Sequence, residues 1–131
     1  MKTEQDVQKL EKIIGQLNGL HVELSMLAKK SPNDGINLFK MRLVNKVLQA
    51  ANAFLTDGYK PFDDFTEFTE EALPTNSDVT LILTQYMEQI ERFRSDHSAF
   101  NSNKHIWCYL LDGSLSNIEA RQPTKVGIRR E

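Results

Sequence analysis

Three stretches of the chain repeat apolar residues at alternating spacings of three and four, and a helix is the regular structure that gathers such residues on one face. The first runs from about residue 4 to 29, with Val7, Leu10, Ile14, Leu17 and Leu24 on one line, His21 and Ala28 sharing it, and Ile13, Leu20 and Leu27 beside it. Thr3 followed by Asp6 has the form of a capping box, and Lys29 and Lys30 suit the negative end of the helix dipole. Ser31-Pro32-Asn33-Asp34-Gly35 then reads as a turn.

The second stretch, about 36 to 55, carries Ile36, Phe39, Leu43, Val47, Ala50 and Phe54, with Lys40, Arg42, Asn45, Lys46, Gln49 and Asn52 mainly on the other side. The short connection predicts an antiparallel hairpin of helices, with Asp57-Gly58 as the closing C-cap. The third helix is expected from about 78 to 96 through Val79, Ile82, Leu83, Tyr86, Ile90 and Phe93, capped by Asn76 or Ser77. After a polar, loop-like stretch from 98 to 103, His105-Ile-Trp-Cys-Tyr-Leu-Leu111 is rich in strand formers and ends in Asp112-Gly113, the strongest short hairpin signal. The expected fold is therefore mainly α: an antiparallel three-helix bundle with a short C-terminal β-hairpin at about 105 to 120, the alternative being a short fourth helix there. Residues 1–120 form a single domain in this reading, followed by a basic tail, 121–131.

Composition sets the outer limits. The chain has 131 residues, 40% apolar and 26% charged, with a net charge of −2, enough for one core without a disulfide or metal staple. A single cysteine, Cys108, excludes an internal disulfide, and the charged start lacks the apolar run of a secretory signal, so a cytoplasmic location is expected. No run approaches the roughly 18 apolar residues of a membrane helix.

The near-neutral total conceals a division. Residues 57 to 77 hold six acidic side chains against Lys60 alone, interleaved with Phe62, Phe65 and Phe68 at intervals of three, which predicts a short helical turn laying rings across the end of the bundle. Residues 98 to 131 are net +2, with Arg121, Lys125, Arg129 and Arg130 in the tail. These four are the candidates for a nucleic-acid backbone, although no aromatic residue accompanies them for base stacking.

Arg92 and His97, separated by four residues at the end of the third helix, resemble the Arg-x4-6-His signature of HEPN-type ribonucleases, which are all-helical domains of about this size. The resemblance covers six residues and implies metal-independent cleavage of a phosphodiester with Arg92 and His97 as the acting pair. Phe93 departs from the polar residue common after the arginine in that family. The same side chains also have a structural use: Glu88 and Arg92 are spaced for a helix-surface ion pair, and His97 complements the helix dipole. His97, His105, Cys108 and Asp96 do not make a metal site, because His105 and Cys108 point to opposite faces of a strand and a lone thiol is ordinarily buried. No phosphate-binding loop or nucleophile elbow is present, and nothing calls for a cofactor.

One feature points to an interface. Gly15, Gly19, Val22 and Met26 share a line on the first helix, away from its core face. Each glycine costs about 1 kcal/mol relative to alanine inside a helix, so two of them argue that another backbone approaches closely. Within the monomer the candidate is the Trp107-Tyr109-Leu111 segment; between monomers it is the same face of a second copy about a two-fold axis. The expectation is a small non-enzymatic interaction protein, a homodimer or the partner of another protein, acting through Gly15, Gly19, Val22 and Met26 and through Phe62, Phe65 and Phe68. The alternatives are the HEPN-like ribonuclease and a nucleic-acid accessory protein using its tail.

Overall fold

Thr3 opens the first helix as its sequence foretells. In a computed structural model describing residues 1–125, the Thr3 hydroxyl accepts from the Asp6 amide at 3.3 Å and the Asp6 carboxylate accepts from the Thr3 amide at 3.2 Å, closing the capping box of α1 (Glu4–Lys30). The amide of Ser31 returns to Leu27 and ends it. Helix α2 spans Leu38–Phe54, two residues shorter than expected at the front because Asn37, not the preceding turn, supplies the capping side chain to Lys40.

Asp57-Gly58 is not the cap of α2: the helix closes at Leu55, whose amide bonds Ala51, and Asp57–Tyr59 forms a separate 3-10 turn. Helix α3 spans Asn76–Asp96 and is capped by Thr75, one residue before the expected caps, in a second capping box with Asp78. Asn76 itself does other work. Its side chain donates to the Ser31 carbonyl, its amide to the Asp34 carbonyl, and the amide of Ile36 to the Pro74 carbonyl. The α1–α2 turn is thereby stapled to the start of α3, which fixes both helix pairs at one end.

The C-terminal part corrects the sequence reading. Of the expected loop at 98–103 only 102 and 103 lie in a turn: β1 (Ser98–Asn101) pairs antiparallel with β2 (Ile106–Leu111), which pairs with β3 (Ser114–Glu119), giving a three-stranded meander rather than a two-stranded hairpin or a fourth helix. Asp112 and Gly113 both have positive φ, 53° and 77°, as a two-residue hairpin turn requires. The sheet is tied to the helices through the Leu110 amide on the His97 carbonyl and the Asp112 amide on the Met1 carbonyl.

The core is one cluster running through all three helices, from Leu10, Leu17 and Leu24 to Val44, Leu48, Leu83 and Tyr86, with Tyr109 and Ala120 added by the sheet and its exit. The acidic-aromatic segment is not a helical turn across the bundle end. It lies along α2, where Asn45 exchanges two hydrogen bonds of 2.9 Å with the Phe68 backbone, Asn52 donates to the Thr66 carbonyl and Gln49 to Glu67. The polar face of α2 is thus the receiving surface of this segment. Asn45→Ala strands the Phe68 amide and carbonyl and is expected to cost about 1–3 kcal/mol in chemical denaturation.

Candidate functional site

The Arg92–His97 pair is not assembled into one site. The Arg92 guanidinium lies 3.0 Å from Glu88, in the helix-surface pair that its spacing allows. His97 ends α3 with its ring stacked on Phe93 at 4.0 Å and its Nδ1 donating to the Phe93 carbonyl at 2.7 Å. It borders an open cleft of about 790 Å³ with Lys2, Asp6, Lys9, Tyr59 and Asp96, and Arg92 is not in that lining. The Tyr59 hydroxyl donates to Asp96 at 2.7 Å. Elsewhere, His105 is exposed in a left-handed turn before β2 while Cys108 is wholly buried. Among the described residues no three His, Cys, Asp or Glu side chains converge as a metal would need.

The most constructed polar site is one that the sequence reading did not single out. Arg94 is 2% exposed, the most buried charged side chain among the described residues. Its Nε and Nη2 bond the two carboxylate oxygens of Glu91 at 2.7 and 2.8 Å, a bidentate fork. Its Nη1 donates to the Arg121 carbonyl and its Nη2 to the Gln122 carbonyl, at 2.8 and 3.1 Å. Glu91 also accepts from Ser95 and from the amide and hydroxyl of Thr124. Beside them Tyr109 donates to Glu11, which pairs with Arg121 at 3.3 Å.

Charge follows from these contacts. Burial works against the charge on Glu91, but hydrogen bonds from Arg94 and Thr124 together with the Arg94 charge outweigh it and hold the carboxyl at about 2. Burial likewise lowers the Arg94 affinity for its proton, and Glu91 more than restores it. Burial, reinforced by Glu11, pushes the Tyr109 phenol above its usual range. Because Glu91 titrates below its ordinary 4.5, its contribution to stability is complete above that value and is lost as pH falls from there toward 2. A loss of about 2 kcal/mol, allowing for water at the rim, is expected between neutral pH and about pH 3, measured by denaturant unfolding at each pH.

The tail candidates divide. Arg121 is engaged by Glu11, and Lys125 bonds Glu88 at 2.8 Å, while Arg129 and Arg130 lie outside the described residues. The aromatic candidates face inward: Phe68 is buried, Phe62 and Phe65 pack against the core, and the three rings form an edge-to-face chain at 6.1 and 5.0 Å. This segment shows to water the carboxylates of Asp63, Asp64, Glu67, Glu70 and Glu71 together with the Leu73 side chain.

The outer line of α1 has no intramolecular cover. Trp107, Tyr109 and Leu111 do not pack on it: Tyr109 enters the core, and Trp107 stands edge-to-face with Phe100 at 5.6 Å. A Cβ added at Gly15 or Gly19 would meet nothing within 4 Å. Val22 is 61% and Met26 56% exposed. No family model matches the chain, and neither the curated proteins nor the solved structures provide a match. Among the described residues, no helix is long and apolar enough to cross a membrane.

Proposed function

We propose that this chain is a small cytoplasmic interaction protein that associates through the outer face of α1, with a second copy as the occupant. The observation that carries this reading is the pair of helix-interior glycines whose cost is offset by no contact within the monomer. The charge pattern along the same face supports a second copy. An antiparallel pairing of α1 with itself that sets Gly15 of one copy against Gly19 of the other also sets Glu4 against Lys30, and all four positions are exposed. Val22 then lies over the aliphatic stem of Lys12, and Met26 over Gln8.

Gly19→Leu separates this role from folding. The space around Gly19 is open and leucine is the better helix former, so the monomer is expected to gain about 0.5–1 kcal/mol, read as a higher thermal midpoint at a concentration too low for association. Self-association should weaken, because leucine holds the two helices apart. An unchanged association constant would remove Gly19 from the interface.

A further inference from the structure

Ala120 is the last described residue to enter the core, and its amide is fastened to the Trp107 carbonyl. Beyond it the chain does not stop making contacts, but the contacts change kind. No side chain of residues 121–125 joins the hydrophobic cluster. What holds the segment is polar: the two carbonyls on Arg94, Thr124 on Glu91, the Lys125 amide on the Ser95 hydroxyl, the Lys125 ammonium on Glu88 and Arg121 on Glu11. Two basic side chains therefore lie on two carboxylates, Arg121 on Glu11 and Lys125 on Glu88, while Thr124 holds a third, Glu91.

We propose that residues 121–125 are a releasable strap across the α1–α3 seam, docked by charge and hydrogen bonding and able to leave without unfolding the domain. Three observations fit together here. The hinge is defined, since core burial ends at Ala120. The receiving groups keep partners when the strap leaves: Arg94 and Glu91 retain their bidentate pair and Glu88 retains Arg92. The strap also borders a cleft of about 480 Å³ whose floor is Ile14, Leu17, Met87 and Ile90, so its departure uncovers apolar surface beside a guanidinium with two free N–H groups. That is a switchable surface, closed at low salt and opened when the ion pairs are screened.

Trypsin cleavage of the full chain at Arg121–Gln122 reads the equilibrium, with amide exchange at Thr124 and Lys125 as an independent measure. Raising the salt concentration should accelerate both while the exchange of Ile90 in α3 stays constant. Thr124→Ala, at an exposed position outside the core, should accelerate both roughly fivefold to tenfold at low salt, the loss of its hydroxyl contact to Glu91, with the thermal midpoint nearly unchanged. If cleavage and exchange follow global unfolding in every condition and ignore salt, the segment is an integral part of the fold and the proposal is overturned.

Discussion

Arg94→Ala is expected to destabilise the fold by about 3–5 kcal/mol, because it leaves the partly buried Glu91 carboxylate without the guanidinium that keeps it ionised. The same change strips the Arg121 and Gln122 carbonyls of their donors. Arg94→Met combined with Glu91→Gln should cost much less than Arg94→Ala alone, since neither charge is then stranded and the methionine fills part of the space. Urea unfolding of the three proteins decides the matter. Equal losses in the single and double variants would mean that packing, rather than charge, is what Arg94 supplies. A large cost for Arg94 agrees with a weakly held strap, because the Arg94–Glu91 pair lies within α3 and survives undocking.

The second large effect separates the two faces of α1. Leu24 is fully buried and Met26, two residues on, is more than half exposed. Leu24→Ala is expected to cost about 2–5 kcal/mol through lost burial and the cavity left behind. Met26→Ala should lie within about 0.5 kcal/mol of the parent for the monomer. Calorimetry at low protein concentration is the measurement, and a large cost at Met26 would place it in the monomer's core.

These contrasts show where the sequence was legible. The three helices could be read because each repeats apolar residues at helical spacing, although α2 buries Met41, Val44, Leu48 and Ala51 and leaves Phe39 and Leu43 of the expected line exposed; Thr3 with Asp6 marks a start by chemistry that needs no tertiary partner. The missing strand had no such signal. Ser98-Ala-Phe-Asn101 has one large apolar residue, and it is extended because Phe100 lies opposite Trp107 and Ala99 opposite Cys108 in the sheet. Such a segment becomes a strand through its neighbour.

The threefold spacing of Phe62, Phe65 and Phe68 suggests a helical turn that the acidic-aromatic segment does not form. Its real organiser is Asn45 on α2, more than twenty residues earlier in the chain. The Arg94 site was hidden for the same reason, as its partners Arg121, Gln122 and Thr124 are remote in sequence. One local sign did exist. Val79, Leu83, Tyr86, Ile90 and Phe93 are all buried, and Arg94 stands next to Phe93, four residues after Ile90, at the edge of their line. A lone charge on a core line is a reason to look for a buried partner.

The Arg92–His97 spacing illustrates the converse. Two residues about five positions apart at a helix end point in different directions, and here one meets Glu88 while the other caps the helix over Phe93. Spacing along a chain carried the resemblance; the neighbours of each side chain decide what it can reach.

The outer face of α1 is, in the function proposed above, an interface between copies. Its most direct test is the mass of the full chain by sedimentation equilibrium over a wide concentration range, for the parent and for Val22→Glu. The expected result is a parent that reaches twice the monomer mass and a variant that remains monomeric with the parent's helical content. A parent that stays at the monomer mass at every concentration would contradict it.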